Sequence, residues 1–215
     1  MPIHVAIADD HGAVRLGMKY LVEEWMPEST VHFAPDLRTL LQLLSTHPLD
    51  VIVLDINMPG GNNFEMVPTI RDIQPTVRIL VLSAYDEDIY ALRYIDSGAD
   101  GYLQKDSDEQ EIKEALNTVY AGKKYLSSQL KEHLLENRLN KGSRLDANPI
   151  ATLTNRELQV SQLLLEGKGV GEIAKELFIH TSTVGTYKNK IFEKLQVRNI
   201  RELIDSFKMN DFGIK

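Results

Sequence analysis

The first 122 residues alternate between two patterns of hydrophobic and polar positions: short apolar runs, which predict strands, and longer stretches with helical spacing. Between the predicted strands, apolar residues recur at helical spacing, as at Leu37, Leu40, Leu41 and Leu44. Because the strands are apolar throughout, helices should cover both faces of the sheet. We expect an α/β fold, a (βα)5 doubly wound parallel sheet of strand order 2-1-3-4-5. The predicted strands are HVAIA (4–8), VHFA (31–34), VIVL (51–54), RILVLS (78–83) and GYLQ (101–104).

The pattern changes after about residue 121. The stretch NKGSRLDANP at 140–149 is polar and contains glycine and proline, which is typical of a linker, and only helical signals follow it. Thr154 and Glu157 form a T-x-x-E capping box, and Gly167 lies where that helix should end. We expect one domain at 1–124, a helical or flexible linker at 125–149, and a small all-α domain at 150–215.

Charge is distributed unevenly along the chain. Residues 1–149 contain 14 Lys and Arg against 23 Asp and Glu, whereas residues 150–215 contain 10 against 8. An acidic front and a mildly basic rear indicate two units with different partners. The chain has no cysteine, and we find neither a signal peptide nor an apolar run of membrane-spanning length. We therefore expect a cytoplasmic protein without a membrane partner.

Carboxylates follow two of the predicted strands. Asp9 and Asp10 come after the first strand, and Asp55 comes after the third. In the expected strand order these two strands are neighbours at the switch point of the topology, where ligands bind outside the carboxyl ends of the strands. Three carboxylates at close range repel one another unless a cation lies among them, and oxygen ligands favour Mg²⁺. The sequence thus predicts a magnesium site, although an Asp at a strand end is most often a cap or turn residue.

Two further strand ends supply groups that suit a phosphoryl group. Ser83 ends the fourth strand and carries a hydroxyl, and Lys105 follows the fifth with a positive charge. Asp55 is the carboxylate best placed to act as a nucleophile. A flavin site and a phosphatase are the competing interpretations. The absence of G-x-G-x-x-G weakens dinucleotide binding, and a phosphatase would be expected to have an acid where Asn57 stands.

The segments IADDH, LDINMPGG, VLSAYD and GADGYLQKD resemble, in order and spacing, the receiver domain of two-component response regulators over residues 2–124. The resemblance implies that Asp55 accepts a phosphoryl group from a sensor histidine kinase. It also implies that Asp10, Asp55 and the backbone carbonyl of Asn57 hold Mg²⁺, with Asp9 acting through water. Lys105 and Ser83 would contact the phosphoryl oxygens.

Tyr102 would be an aromatic switch that turns inward when Ser83 moves, although a half-buried core tyrosine is an equally good interpretation. Two positions depart from the family pattern: Asp106 follows Lys105 where proline is frequent, and Asn63 stands where glycine is common. Asn tolerates a positive φ better than most residues. We therefore expect a left-handed backbone at Asn63.

The rear segment IAKELFIHTSTVGTYKNKIFEKL has the layout of a helix, a tight break and a second helix. Ile173, Ala174 and Leu177 would pack against the second helix, which Thr181 or Ser182 would cap. A second helix that enters the major groove is the helix-turn-helix mode of DNA binding, although most helix pairs with a few lysines only expose solvated faces. The candidate DNA contacts are Thr181, Ser182, Thr183, Thr186, Tyr187, Lys188, Asn189, Lys190 and Lys194.

The longer stretch LTNRELQVSQLLLEGKGVGEIAKELFIHTSTVGTYKNKIFEKLQV resembles the LuxR-type helix-turn-helix of NarL/FixJ-family regulators, over about residues 150–210. Gly185 departs from that family, in which lysine is commonest at this position. Glycine inside a helix costs about 1 kcal/mol relative to alanine. Our hypothesis is that Gly185 permits a close approach of the backbone to DNA.

Together these features predict a response regulator that converts phosphorylation into transcriptional control. Its partners would be a sensor histidine kinase, a double-stranded DNA operator and, when phosphorylated, a second copy of the chain. Phosphorylation of Asp55 would release or dimerise the rear domain, so that two recognition helices meet half-sites about one DNA turn apart. Two other classes stay open: a phosphorylation-independent DNA-binding protein and an aspartyl-nucleophile phosphatase.

Overall fold

Five parallel strands form the sheet of the N-terminal unit. In a computed structural model that describes residues 2–61, 63–139 and 148–209, their order is β2-β1-β3-β4-β5. This confirms the predicted α/β fold and its strand order. The strands are β1 His4–Ala8, β2 Thr30–Ala34, β3 Val51–Leu54, β4 Arg78–Ser83 and β5 Gly101–Gln104.

The register of the central strands aligns their carboxyl ends. Ala8 pairs with Leu54, and Leu54 pairs with Val81. The backbone N–H of Asp55 then donates to the carbonyl of Ala8 at 2.7 Å, which extends the ladder by one residue. All four residues of β3 are buried, because helices cover both faces of the sheet. The strand is therefore a rigid support for the residue that follows it.

In the described part of the chain, five helices lie within the N-terminal unit, residues 1–137, and a sixth begins there and ends at Leu139. Helices α1 and α5 pack on one face of the sheet, where Met18, Leu21 and Leu116 join Val53 and Leu80 in a hydrophobic cluster. A 3-10 turn at Asn63–Glu65 precedes α3. The helices are α1 Gly12–Trp25, α2 Leu37–Thr46, α3 Met66–Ile73, α4 Glu87–Asp96, α5 Glu109–Tyr120 and α6 Ser128–Leu139.

Aspartates at helix starts explain several of the acids in the N-terminal unit. Asp36, Asp86 and Asp108 are the N-caps of α2, α4 and α5, and each side chain accepts a hydrogen bond from a backbone N–H of the first turn. Asp9 has no such role, because the N-cap of α1 is His11. The acid after β1 is therefore available for other chemistry.

The expectation of a left-handed backbone at Asn63 is wrong. Asn63 begins the 3-10 turn, and among the described residues only Phe178 and Gln196 combine a side chain with a positive φ. Gly60 takes the left-handed conformation instead, with φ of 75°. Because the reversal of the chain is completed at Gly60, Asn63 can adopt ordinary helical angles.

The C-terminal unit comprises residues 138–215, and the regular secondary structure of its described part is entirely helical. The predicted capping box is present: Thr154 accepts from the N–H of Glu157, whose carboxylate accepts from the N–H of Thr154. Gly167 follows that helix with φ of 84°. The helices are α7 Asn155–Leu165, α8 Val170–Glu176, α9 Thr181–Leu195 and α10 Ile200–Met209, and a short 3-10 turn, Pro149–Thr152, precedes them.

Helices α8 and α9 form the predicted helix-turn-helix, and Ile173, Ala174 and Val184 are buried between them. The start of α9 differs from our expectation, because neither Thr181 nor Ser182 is its cap. The N-cap is His180, without a side-chain hydrogen bond to the helix. Phe178 adopts φ of 53° in the turn, which reverses the chain early enough for α9 to begin at Thr181. Residues 140–147, part of the predicted linker at 125–149, lie outside the described residues.

Candidate functional site

Asp9, Asp55 and Lys105 converge at the carboxyl edge of the sheet. Each follows the end of a strand, and each of the two aspartates is only 2 % exposed. The Nζ atom of Lys105 lies 2.7 Å from Oδ2 of Asp9 and 2.9 Å from Oδ2 of Asp55. The backbone N–H of Lys105 donates to the carbonyl of Ser83 at 2.8 Å, which fixes where the lysine leaves the sheet. One ammonium group therefore bridges two buried carboxylates.

Burial and neighbouring charges have opposite effects on the pKa values of Asp55 and Lys105. Burial raises the pKa of Asp55 above its usual range, and this outweighs the opposite effect of the hydrogen bond from Lys105. Burial alone would lower the pKa of Lys105, but its contacts with Asp9 and Asp55 reverse the effect, so its pKa is raised. The lysine is therefore held in its charged form beside both acids.

An acidic cluster surrounds this ion pair. One ligand atom from each of Asp9, Asp10, His11 and Asp55 lies within 4.8 Å of the others. Nδ1 of His11 lies 2.7 Å from Oδ1 of Asp10 and 3.2 Å from Oδ1 of Asp9. Three carboxylates supply the hard oxygen ligands that suit a divalent cation such as Mg²⁺, so the side chains present fit such an ion. The sequence prediction missed His11, although it follows the two aspartates directly.

Ser83 and Tyr102 are linked through Tyr85, which the sequence prediction also missed. Both are buried, with Ser83 1 % and Tyr102 0 % exposed. The hydroxyl of Ser83 accepts from the N–H of Tyr85 at 3.1 Å, and the hydroxyl of Tyr102 donates to the carbonyl of Tyr85 at 2.8 Å. Tyr102 thus points inward and is fully buried rather than half-buried, and its role as a switch stays a prediction.

Asn57 connects the same loop to the acidic site. Its side-chain amide donates to the hydroxyl of Tyr85 at 2.7 Å, and its backbone N–H donates to Oδ1 of Asp55 at 3.1 Å. The ring of Tyr85 stacks on Tyr90 of α4, with ring centroids 5.0 Å apart. A continuous set of contacts therefore leads from Asp55 to helix α4.

The start of α4 holds the segment that follows α5. The hydroxyl of Ser127 donates to Oε1 of Glu87 at 2.6 Å and accepts from the N–H of Leu130 at 3.0 Å. Ser127 and Glu87 are both buried, at 7 % exposed. One turn further along α6, Nδ1 of His133 lies 3.1 Å from the carboxylate of Asp88. Helix α6 is therefore attached to the first turn of α4.

The second helix of the helix-turn-helix presents a polar face. Ser182, Thr186, Asn189 and Lys190 are exposed along α9 at helical spacing. Thr181 is also exposed, whereas Thr183, Tyr187 and Lys188 are half-buried. The ammonium group of Lys188 lies 5.4 Å from the centroid of the Phe192 ring.

Lys194 has a different environment from the other candidate DNA contacts. Its Nζ atom lies 2.6 Å from Oε2 of Glu157 and 3.2 Å from the carbonyl of Thr152. Glu157 is 3 % exposed, so Lys194 neutralises a buried carboxylate of the capping box. The structure therefore places Lys194 against α7, where it supports packing.

Family comparisons agree with both parts of the chain. Residues 5–117 match the family described as the response regulator receiver domain, and residues 151–207 match that described as bacterial regulatory proteins of the luxR family. The Fimbriae Z protein of Salmonella typhimurium is 34 % identical over 98 % of both chains. No helix in the described part of the chain is long and apolar enough to cross a membrane.

Two solved structures of RcsB are similar over both units. RcsB from Salmonella enterica serovar Typhimurium, bound to promoter P1flhDC in the presence of phosphomimetic BeF3-, has a TM-score of 0.76 at 25 % identity, covering 97 % of this chain and 100 % of that one. A structure of two RcsB dimers bound to two parallel DNAs has a TM-score of 0.73 at 25 % identity, covering 96 % and 98 %. The chain belongs to the NarL/FixJ family of two-component response regulators, with a receiver domain followed by a LuxR-type DNA-binding domain.

Proposed function

We propose that Asp55 is the phosphoacceptor of this response regulator. The observation that carries the proposal is the position of Lys105, whose ammonium group bridges the buried carboxylates of Asp55 and Asp9. An oxygen of Asp55 attacks the phosphorus of a phosphohistidine on a sensor kinase. The P–N bond breaks, and the histidine nitrogen takes up a proton. The negative charge that arrives on Asp55 then lies beside a lysine that is already charged.

The same residues fit a magnesium ion, which would neutralise charge on the transferred phosphoryl group. Asp10, Asp55 and the carbonyl of Asn57 would hold it, with Asp9 acting through water. Lys105 and the hydroxyl of Ser83 would contact phosphoryl oxygens. We infer no turnover of an external substrate, because Asn57 stands where an aspartyl phosphatase would be expected to have an acid.

The loop between β4 and α4 would carry the signal. If Ser83 turns its hydroxyl toward a phosphoryl oxygen, it releases the N–H of Tyr85, whose carbonyl is held by Tyr102. A shift of Tyr85 moves the first turn of α4, to which Ser127 attaches α6. We infer that phosphorylation changes the docking of α6 and thereby the freedom of the DNA-binding domain.

The output would be DNA binding through α9 by a homodimer in the cytoplasm. We propose domains at 1–124 and 150–215, joined by a linker at 125–149. RcsB dimers have been solved on DNA, which supports a dimer in which two recognition helices read half-sites. The proposed phosphate and base contacts exclude Lys194, and they are Thr181, Ser182, Thr183, Thr186, Tyr187, Lys188, Asn189 and Lys190.

Capture and sequencing of genomic fragments of the source organism tests this function. Wild type and Asp55→Asn would each be incubated with fragments, with and without acetyl phosphate and Mg²⁺. We expect the phosphodonor to enrich specific sites for wild type only. Equal enrichment with and without the donor would support a phosphorylation-independent regulator instead. Steady hydrolysis of a small phosphomonoester would support a phosphatase.

A further inference from the structure

His11 lies directly beside the carboxylates of the acidic site. Its Nδ1 atom is 2.7 Å from Oδ1 of Asp10 and 3.2 Å from Oδ1 of Asp9. One ligand atom from each of these three residues and from Asp55 lies within 4.8 Å of the others. Among the described residues, this is the one group of three or more such side chains that is compact enough to share a metal ion. The group therefore offers a nitrogen as well as carboxylate oxygens.

Backbone hydrogen bonds hold His11 in this position. Its N–H donates to Oδ1 of Asp9 at 2.7 Å, and its carbonyl accepts from the N–H of Arg15 at 3.1 Å in the first turn of α1. The guanidinium of Arg15 donates to the carbonyl of Asp9 at 2.6 Å. These hydrogen bonds fix the position from which the side chain of His11 leaves the backbone.

The side chain of His11 does not serve the helix that it begins. His11 is the N-cap of α1, a position at which Ser, Thr, Asp and Asn are preferred because their side chains accept from the first turn. The imidazole makes no such hydrogen bond, whereas α2, α4 and α5 begin with capping aspartates. The side chain is 67 % exposed, so packing does not explain it either. Its contacts with Asp9 and Asp10 are what distinguish a histidine at this position.

The separations in the group suit ligands of one octahedral ion. Donor atoms that bind the same ion at about 2.0–2.1 Å lie roughly 3 Å apart when they are adjacent and about 4 Å apart when they are opposite. The distances of 2.7 Å and 3.2 Å from Nδ1 of His11 to the two carboxylates match adjacent ligands. Without an ion, Nδ1 shares a proton with these oxygens.

We propose that His11 is a nitrogen ligand of the divalent ion in the acidic site and shifts the preference of the site from Mg²⁺ toward transition metal ions such as Mn²⁺ and Co²⁺. Nδ1 binds the ion in place of the shared proton, and Nε2 carries the remaining proton. Imidazole suits transition metal ions, whereas a site with oxygen ligands alone suits Mg²⁺. The inference rests on the proposed function only in requiring a divalent ion beside Asp55.

The competing explanation is a hydrogen bond from His11 to the aspartates that has no part in metal binding. In that case water and carboxylates would supply every ligand, and the ion would contact oxygen alone. The two explanations differ in whether a histidine nitrogen is bonded to the ion. Mn²⁺ reports this directly, because it is paramagnetic and the nuclear spin of a bound nitrogen modulates its electron spin echo.

Electron spin echo spectroscopy of Mn²⁺ bound to the tag-free, full-length chain tests the proposal. We expect modulation by a directly bound ¹⁴N nucleus, and its replacement by a ¹⁵N pattern when the chain is made with ¹⁵N-labelled histidine. His11→Asn should lose this modulation. Because asparagine is a good N-cap, this variant keeps α1, and its thermal stability should equal or exceed that of wild type. The matched control is His47→Gln, which should retain the modulation.

Titrations of the same chains with Co²⁺ and with Mg²⁺ give a second measurement. Loss of a contact that only orients a ligand weakens metal binding about tenfold or more, and loss of a ligand should weaken it at least as much. We therefore expect His11→Asn to weaken Co²⁺ binding about tenfold or more and Mg²⁺ binding by a smaller factor. An equal factor for the two ions would overturn the proposed preference.

Two spectroscopic results would overturn the proposal: no directly bound nitrogen in wild type at saturating Mn²⁺, or a histidine signal that persists in His11→Asn. Neither result would affect the proposed phosphoacceptor, because phosphorylation of Asp55 is measured separately in Mg²⁺ by the mass of the protein. Conversely, a chain that binds Mn²⁺ through His11 but is not phosphorylated on Asp55 would contradict the proposed function and support this inference.

Discussion

The hydroxyl of Tyr102 donates a hydrogen bond to the carbonyl of Tyr85, so a buried side chain of β5 holds the backbone of the loop before α4. Ser83 holds the N–H of the same residue. Both backbone groups of Tyr85 are thus bound by residues that we place in the switch. Movement of either partner must change the position of this loop.

Tyr102→Phe tests this connection, because it keeps the ring and removes one hydrogen bond. We expect a loss of about 1 kcal/mol in receiver stability. Phosphorylation by acetyl phosphate should be unchanged, but the gain in DNA binding on phosphorylation should fall. The control is Tyr120→Phe at the end of α5. If Tyr102→Phe responds to the phosphodonor as fully as wild type, Tyr102 does not couple the two domains.

Ser127→Ala should loosen α6 from the receiver. The change leaves Glu87 without its 2.6 Å hydrogen bond and removes the acceptor for the N–H of Leu130. We expect a cost of about 1–2 kcal/mol for the local structure and faster amide hydrogen exchange in α6. Ser128→Ala is the matched control, because Ser128 is the exposed neighbour. Equal exchange rates in the two variants would contradict the attachment.

Asp86→Asn should stabilise the receiver in a pH-dependent way. Burial raises the pKa of Asp86 from 3.8 to about 6, so ionisation costs free energy only in the folded state. That cost is absent below pH 4, grows up to about pH 6 and is complete at pH 7. Asn keeps the N-cap of α4. After allowance for solvent screening, we expect a gain of about 1 kcal/mol at pH 7 and none below pH 4.

Fluorescence can follow this gain, because Trp25 is the single tryptophan and lies in α1 of the receiver. Its Nε1 donates to Oδ1 of Asn117 at 2.7 Å, so it reports on packing between α1 and α5. Urea unfolding followed by Trp25 at pH 7 and below pH 4 gives the two free energies. A gain that is equal at both pH values would contradict the assignment.

Lys194→Ala should lower the stability of the C-terminal unit, whereas Lys190→Ala should weaken DNA binding. Removal of Lys194 leaves the buried carboxylate of Glu157 unpaired, which should cost about 2 kcal/mol, because the lysine itself is partly exposed. Lys190 is exposed, so its removal should leave stability unchanged and weaken DNA binding with a smaller salt dependence. Thermal unfolding of the C-terminal unit and DNA titrations at two salt concentrations distinguish them. The reverse pattern would contradict both assignments.

Gly185→Ala should stabilise α9 by about 1 kcal/mol. A Cβ atom built on Gly185 meets no other described residue within 4 Å beyond the backbone of its own helix, so the folded chain accommodates alanine. If DNA approaches the backbone at this position, operator affinity should nevertheless fall. Gly171→Ala in α8 is the control, because its Cβ also meets nothing within 4 Å. Unchanged affinity for Gly185→Ala would remove the proposed close approach.

The sheet and its acidic edge could be predicted from the sequence. The spacing of apolar residues identifies the strands and helices, and their order along the chain indicates the topology. Parallel strands end at one edge, so Asp9, Asp55 and Lys105 had to lie near one another once the strands were identified. The contacts of Tyr85 and Ser127 depend instead on side-chain directions between residues up to 40 positions apart, which no local pattern contains. The position of Asn63 was mispredicted because Gly60 had already turned the chain.

The cap and turn at the start of α9 could not be predicted from the sequence either. A bulky residue with a positive φ is rare, so nothing in the sequence indicated that Phe178 would make the turn and move the first residue of the helix to Thr181.

The most direct test of the central claim is the site of phosphorylation. Wild type and Asp55→Asn would be treated with acetyl phosphate and Mg²⁺, weighed intact by mass spectrometry and digested to locate the modified peptide. Asp72→Asn, at an exposed position of α3, is the matched control. We expect one phosphoryl group per chain that is labile to both acid and base, carried by the peptide that contains Asp55 in wild type and in Asp72→Asn, and none in Asp55→Asn. A phosphoryl group that persists on Asp55→Asn would contradict the account.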